Sequence, residues 1–394
     1  MVFYGLLVQS TQVEAESVEE AFGDMAFRHV MHFTQEIGER VAGTAGEEEA
    51  RDYIYQVFEG LGYETEVQPF SFTNRGSTVE SANVVAVKPG RLNYQIIIGA
   101  HYDTVRGVEG VDDNASGVGV MLEVAERIKD IETPYTVRFI AFGAEEVGLV
   151  GSNHYVSEMS ESDIHHTKAM INLDSLVAGD YMYVYGGSGE AGWVRELALN
   201  ISEDLGIGLQ TNPGLNPNYP EGTTGNWSDH AAFNRAGIPY GYLESTNWEI
   251  GDLDGYTQTE KHGAIWHDPD KDNLEFIQSA FPERMDRLRA YSHILTEWTR
   301  QLVATEPSSV THLKRLVDYY NETGEFESDD VARSLSLHLT AVNHFAERGL
   351  AEKVVKHMEG FNLLLEHQRD NALISEKAYH ILKADSEPLM KKWQ

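Results

Sequence analysis

Gln95-Ile96-Ile97-Ile98-Gly99-Ala100-His101-Tyr102-Asp103 opens as an apolar run and ends in two side chains that can bind a metal. A strand with one wet face alternates apolar and polar residues, so an unbroken run of this length reads as a strand covered on both faces. Tyr135 to Phe142, Ala169 to Leu173, Tyr181 to Tyr185 and Ile238 to Leu243 read as further strands. Helical spacing over Val118 to Ile128 and Val150 to Met159 falls between them. This alternation predicts an α/β fold, a doubly wound, mostly parallel sheet with helices on both faces, whose ligand sites lie beyond the carboxyl ends of the strands.

Upstream, apolar residues recur at helical spacing from Val18 to Leu61, interrupted by a loop from Gly38 to Gly46, and Tyr63 to Phe72 and Ser81 to Val87 alternate as strands. Downstream, Gly206 to Gly225 reads as a loop and Leu274 to Leu302 as one long helix. Thr305 to Ser309 has the composition of a linker, and three or four amphipathic helices follow it as a small all-α module.

The 394 residues carry 30 basic and 63 acidic side chains, a formal charge of -33. Wrapping nucleic acid by broad electrostatics is excluded on that balance, and anionic membranes are disfavoured. The segment after residue 306 holds eleven basic and fourteen acidic residues, so almost all of the excess lies in the front part. Salt adaptation explains such a surface, and a cationic substrate is the competing explanation. There is no cysteine, so any metal must be held by His, Asp or Glu. No run of 18 apolar residues exists, which excludes a helical membrane span. The opening Met1 to Val8, followed by Val13-Glu14-Ala15, reads as the tail of a secretory signal without its basic segment, or else as an ordinary frayed terminus.

Metal-capable residues follow the apolar runs in succession: His101 and Asp103, then Asp112 and Asp113, then Glu145 and Glu146 after Phe142, then Asp174 after Leu173. Singly, a His-x-Asp is mostly structural and a Glu-Glu pair is mostly a solvated face. Their shared place at one sheet edge raises the joint reading. Two divalent ions about 3.5 to 4 Å apart need a bridging carboxylate, a terminal ligand each and an open position for water. A second His is then required; His267 in Ile265-Trp266-His267-Asp268-Pro269 suits, being in a polar loop before a helix, and His262 competes with it.

Gly99-Ala100-His101-Tyr102-Asp103, Asp112-Asp113-Asn114-Ala115-Ser116-Gly117, Phe142-Gly143-Ala144-Glu145-Glu146, Asn172-Leu173-Asp174 and Ser228-Asp229-His230 together resemble metallopeptidase family twenty-eight, the co-catalytic di-zinc aminopeptidases of bacterial leucyl type. The resemblance implies that His101, Asp174, Glu146 and His267 complete the shells of two zinc ions bridged by Asp113. It implies that Asp103 orients His101 from behind and that a cis peptide bond follows Asp113. Glu145 is implied as the general base that takes a proton from a metal-bound water and passes it to the leaving amine. The substrates implied are peptide or protein N-termini, cleaved outside the cell.

Relatives often carry Tyr before the last His ligand, where this chain has Trp266, which leaves the oxyanion helper open. Asp229 and His230 read as support behind the site, and Gly251-Asp252-Leu253-Asp254-Gly255 as a surface loop rather than a calcium loop. The nearby tyrosines and Trp248 are candidates for the pocket of the first side chain. The tail resembles the FIMAH-type helical module; its six histidines are dispersed, and no activity or partner is assigned to it. The expected organisation is a possible signal remnant at 1–20, a zinc peptidase domain at 21–304, a linker at 305–309 and a helical accessory domain at 310–394. The alternatives are a glutaminyl cyclase or carboxypeptidase on the same scaffold, or a non-catalytic metal-binding ectodomain. Loss of a ligand or of the base would mark that last class, and here the set is intact.

Overall fold

The computed structural model describes residues 20–91, 94–304, 310–322 and 324–394. The expected linker at 305–309 and nearly all of the signal-like opening lie outside these residues. Eight strands form one sheet: β1 (Glu64–Asn74), β2 (Ser77–Lys88), β3 (Gln95–His101), β4 (Thr136–Phe142), β5 (Thr167–Leu173), β6 (Tyr181–Gly186), β7 (Leu209–Gln210) and β8 (Tyr240–Thr246). Their spatial order is β1-β2-β4-β3-β5-β8-β6-β7. The centre, β4-β3-β5-β8, is parallel. The β1-β2 hairpin, the β2-β4 pair and the β6-β8 pair are antiparallel, so the sheet is mixed around a parallel core.

Helices α1 (Asp24–His32), α2 (Ala45–Gly60), α3 (Gly117–Ile128), α4 (Val150–Glu158), α5 (Glu161–His166), α6 (Trp193–Leu205), α7 (His230–Arg235), α8 (Leu274–Ala280) and α9 (Arg287–Ala304) belong to the same part of the chain. The two faces of β3 explain its unbroken apolar run. Ile96 and Ile98 pack with α1, α2 and α3 residues such as Val30, Ile54 and Val124. Ile97 packs on the other side with Ile140, Met170 and Phe233. Each such side chain, fully removed from water, contributes roughly 1.5 to 3 kcal/mol.

The single helix expected over Leu274 to Leu302 is two helices. α8 ends at Ala280, a short 3-10 turn spans Arg284–Asp286, and α9 starts at Arg287. Pro282 falls in the break, where it can neither donate a backbone hydrogen bond nor fit inside a continuing helix.

Beyond residue 309, α10 (Val310–Glu322), α11 (Asp329–Ala346), α12 (Ala351–Asp370) and α13 (Glu376–Lys392) enclose a separate core that includes Leu335, Leu339, Met358, Phe361 and Leu382. An ion pair ties this module to the sheet: Lys168 Nζ on β5 lies 2.5 Å from Asp385 on α13. The same ammonium sits 4.1 Å from the centre of the Tyr94 ring. Among the described residues no helix is long and apolar enough to cross a membrane.

Candidate active site

Three parallel strand ends converge on one cleft. His101 is the last residue of β3, Asp174 follows β5 directly, and Glu145 and Glu146 lie in the turn after β4. Asp113 comes from a buried turn leading into α3, and the Asp113-Asn114 peptide bond is cis. His267 reaches in from the loop between β8 and α8. The Asp113 carboxylate stands between the two imidazoles: Oδ1 is 3.0 Å from His101 Nε2 and Oδ2 is 3.3 Å from His267 Nε2. Asp174 Oδ1 lies 3.4 Å from His101 Nε2, and Glu146 Oε2 lies 3.0 Å from His267 Nε2. All five residues expected at the metals are thus brought together, in two sets that share Asp113.

The backbone is shaped to deliver these groups. Ala144 (φ 56°), Ser175 (φ 55°) and His267 (φ 60°) all sit in the left-handed region, which costs a residue with a Cβ about 1 kcal/mol or more. Gly117 opens α3 where a Cβ would lie 2.7 Å from the Leu173 carbonyl oxygen, so only glycine lets α3, and with it the preceding turn that carries Asp113, approach the end of β5 just before Asp174.

Several supports were not visible in the sequence. Asp272 accepts hydrogen bonds from the backbone N–H groups of Asp112 (2.7 Å) and Asp113 (3.2 Å). Gln258 accepts from the N–H groups of Ile265 (2.7 Å) and Trp266 (3.0 Å) and donates to Asp112 Oδ2 at 2.7 Å. The loop carrying His267 is therefore tied twice to the segment carrying Asp113. The one sequence signal was the crowding of acids after His267, of which Asp272 is the last.

Asp103 differs in detail from its expected role. Its carboxylate accepts from the backbone N–H of Glu145 (2.9 Å) and Glu146 (3.2 Å), while its Oδ1 is 3.5 Å from His101 Nδ1. The closer partner of that ring nitrogen is the Asp103 backbone oxygen, at 3.2 Å. Asp103 thus braces the Glu-Glu turn as well as standing behind His101.

Ser228 Oγ donates to Asp174 Oδ2 at 2.7 Å, and His230 Nε2 bonds the Gly225 carbonyl at 3.0 Å, in keeping with a supporting Ser-Asp-His segment. His262 packs edge-on against Phe276 and Phe281 rather than against the acids. In the 251–255 loop, Asp254 accepts the N–H of Tyr256. Among the described residues, the metal-capable clusters are the two built on His101.

Burial dominates the electrostatics. It pushes the Glu146 carboxyl up to about 7, with Asp113 adding to the effect, and raises Glu145 well above the carboxylate range, aided by Asp229, Glu146 and Asp174 against the pull of His101. Burial opposes ionisation of Asp113 too, but His101 and His267 outweigh it and hold that carboxyl below the usual range. Hydrogen bonds to Asp113 and Glu146 raise His267 to about 11. Such crowding of like charges calls for a multivalent cation.

The residues present fit such a cation. Two imidazoles and three carboxylates are a nitrogen and oxygen donor set suited to zinc. Glu146 Oε1 is buried without a hydrogen-bond partner, an acceptor with nothing to accept. His101, Asp113 and Asp174 could hold one ion, and Asp113, Glu146 and His267 a second. Glu145 adjoins the first set, its carboxylate within 4.8 Å of the ligand atoms of His101 and Asp174. All of these groups line one cleft of about 490 Å³, walled further by Tyr219, Trp227, Tyr242, Tyr256 and Trp266.

Residues 83–292 match peptidase family M28 and residues 310–391 match the FIMAH domain. The chain belongs to peptidase family M28. It is 38% identical over 297 residues to the alkaline phosphatase isozyme conversion protein of Escherichia coli, covering 67% of this chain and 86% of that one. Aminopeptidase YwaD of Bacillus subtilis is 31% identical over 62% of this chain and 49% of its own, so the M28 chain spans about half of that relative. Among solved structures, a zinc aminopeptidase from Bacillus subtilis aligns with 73% of this chain and 96% of its own at a TM-score of 0.60 and 20% identity. A glutaminyl cyclase from Porphyromonas gingivalis aligns at 0.57 and 18% identity, covering 72% and 99%. At those identities the likeness is one of fold. Family, relatives and donor set make this M28 protein a hydrolase of the metallo-aminopeptidase class, with zinc as the implied metal.

Proposed function

We propose that this protein is a secreted aminopeptidase that removes the first residue from peptides, using two zinc ions held by His101, Asp113 and Asp174 and by Asp113, Glu146 and His267. The observation that carries the reading is the Asp113 carboxylate, whose two oxygens face two different histidines 3.0 and 3.3 Å away. When bound, zinc supplies Lewis acidity and makes a water acidic enough to attack near neutral pH.

The chain's own residues do the rest. Glu145 takes the proton from the attacking water and returns it to the departing amine, a role suited to a buried carboxylate with a raised pKa beside, but outside, the ligand set. Asp103 holds the backbone from which Glu145 projects. Besides the ligand carboxylates the cleft presents Asp254 and, among the described residues, no lysine or arginine. This lining attracts a free α-ammonium and repels a terminal carboxylate, which favours cleavage from the N-terminus over a carboxypeptidase. The signal-like opening, Met1 to Val8 followed by Val13-Glu14-Ala15, supports export.

The test is zinc content by elemental analysis alongside hydrolysis of aminoacyl p-nitroanilides with N-acetylated controls. About two zinc per chain and activity on free amines alone support the reading. Full loading with no amide cleavage overturns it in favour of the cyclase or binding alternatives, and detection of the protein only inside producing cells overturns secretion.

A further inference from the structure

Arg40 lies in the loop before α2 and is fully buried, although no part of the proposed hydrolysis uses it. A guanidinium taken out of water needs either a carboxylate partner or a full set of acceptors. Arg40 has the second. Nε donates to the Tyr102 carbonyl at 2.7 Å, Nη1 to the Gly38 and Glu109 carbonyls at 3.0 and 2.8 Å, and Nη2 to the Gly110 carbonyl at 3.0 Å. Among the described residues no carboxylate lies within ion-pair distance of it.

Two of these carbonyls flank the candidate centre. Tyr102 stands between His101 and Asp103, and Gly110 opens the buried turn that carries Asp112 and Asp113. The backbone doubles the tie to β3: the Thr104 N–H donates to the Arg40 carbonyl at 3.2 Å, and Thr104 Oγ1 accepts the Arg40 N–H at 2.9 Å. Gly110 is matched to the fork, since a Cβ there would lie 3.0 Å from Nη2 and 2.4 Å from Thr104 Cγ2. One planar group thus spans the end of β3 and the start of the Asp113 turn, which the single nitrogen of a lysine cannot do.

The charge matters as well as the shape. Burial presses the Arg40 pKa down to about 10 against the pull of Asp272, Asp103, Asp113 and Glu109, so the group stays positive at neutral pH. Asp272 and Asp103 are the acids that hold the backbone of Asp112, Asp113, Glu145 and Glu146. A cation paired directly with Asp113 would compete with a metal for its oxygens. Bonded to carbonyls alone, Arg40 offsets the surrounding acids and leaves those oxygens free.

We propose that Arg40 is a positioning residue for the metal pair, clamping the end of β3 that bears His101 to the turn that bears Asp113 before metal arrives and so setting the affinity of the centre. This rests on the reading of His101 and Asp113 as ligands and names what keeps them in register.

The experiment measures zinc affinity by competition with a chelating dye, and the visible spectrum after cobalt(II) loading, for the full-length wild type, R40K and R40M. Circular dichroism establishes that each variant is folded. The expected result is zinc binding at least tenfold weaker in R40M, with R40K in between and an altered cobalt spectrum in both. A folded R40M that binds zinc within threefold of the wild type, or more tightly, with an unchanged cobalt spectrum overturns the proposal and leaves Arg40 a scaffold residue. R40K as tight as the wild type overturns the role of the fork.

A second measurement needs no variant to fold. In hydrogen exchange of the wild type, residues 101–104 and 110–116 are expected to be protected without metal to within tenfold of their zinc-loaded protection. Exchange a hundredfold faster in the metal-free protein overturns a clamp that precedes the metal. A wild type that binds no zinc overturns the ligand reading and this proposal with it. Zinc binding that depends on Arg40 without any cleavage of aminoacyl p-nitroanilides overturns the aminopeptidase reading and supports the role of Arg40.

Discussion

The carboxylate of Asp103 accepts the backbone N–H of Glu145 at 2.9 Å, so the residue behind one candidate ligand also fixes the turn that carries the candidate base. Asn at this position offers one acceptor where two N–H groups converge and turns a donor toward the other. Asp103→Asn is expected to lower kcat tenfold or more with KM little changed, because the base is displaced while the cleft wall stays. Steady-state kinetics on a p-nitroanilide, with zinc content measured on the same sample, checks the split.

Glu145→Gln removes proton transfer and leaves the five metal-facing side chains in place. Two zinc per chain are expected to remain, with turnover down by about 10² to 10⁴. Near wild-type turnover would remove Glu145 from the mechanism.

Asp113 and His267 separate shared from unshared ligation. His267→Ala is expected to bind about one zinc, whereas Asp113→Ala, which strips a donor from both sets, falls below one. Chelation of the wild type abolishes hydrolysis, and added zinc restores it. Equal zinc content in the two variants would contradict a bridging Asp113.

Lys168 and Asp385 form a pair of side chains 10% and 0% exposed between sheet and helical module. Removing one partner of such a pair strands the other charge, at roughly 3 to 5 kcal/mol. Lys168→Met is expected to lower the melting temperature and to split α10–α13 from the rest as a separate calorimetric transition. A single unshifted transition would show the pair to be dispensable.

His230 is fully buried, and its pKa falls from the usual 6.5 to about 3 because burial disfavours the charged ring. Below pH 6.5 the unfolded chain binds a proton that the folded chain refuses. Its contribution is thus whole above pH 6.5 and is lost as pH falls toward 3, at about 1.4 kcal/mol per pH unit. In denaturant titrations of metal-free protein from pH 7 to 4, the stability difference between wild type and a folded His230→Gln is expected to change by this slope as pH falls.

How much could be read in advance varies by element. The apolar runs ending at Ala100, Phe142 and Leu173 foretold buried parallel strands, because a strand covered on both faces has no polar side to display. His101, Glu145, Glu146 and Asp174 were legible for the same reason: each lies within a few residues of a strand end, so local spacing places it at the carboxyl edge. The break at Pro282 was legible in principle and outweighed by the helical pattern around it.

Sequence alone therefore determined the fold class, the cysteine-free nitrogen and oxygen chemistry, and the metal-capable residues at each strand end, since these follow from periodicity and composition. Only the tertiary structure decided that Asp113 divides its oxygens between His101 and His267, that Asp272 and Gln258 tie the His267 loop to it, and that Arg40 joins the carbonyls of Tyr102 and Gly110. Asp113 and His267 are 154 positions apart. No local pattern encodes a contact made when the sheet and its loops close on one another, because that geometry is set by the packing of all the elements between.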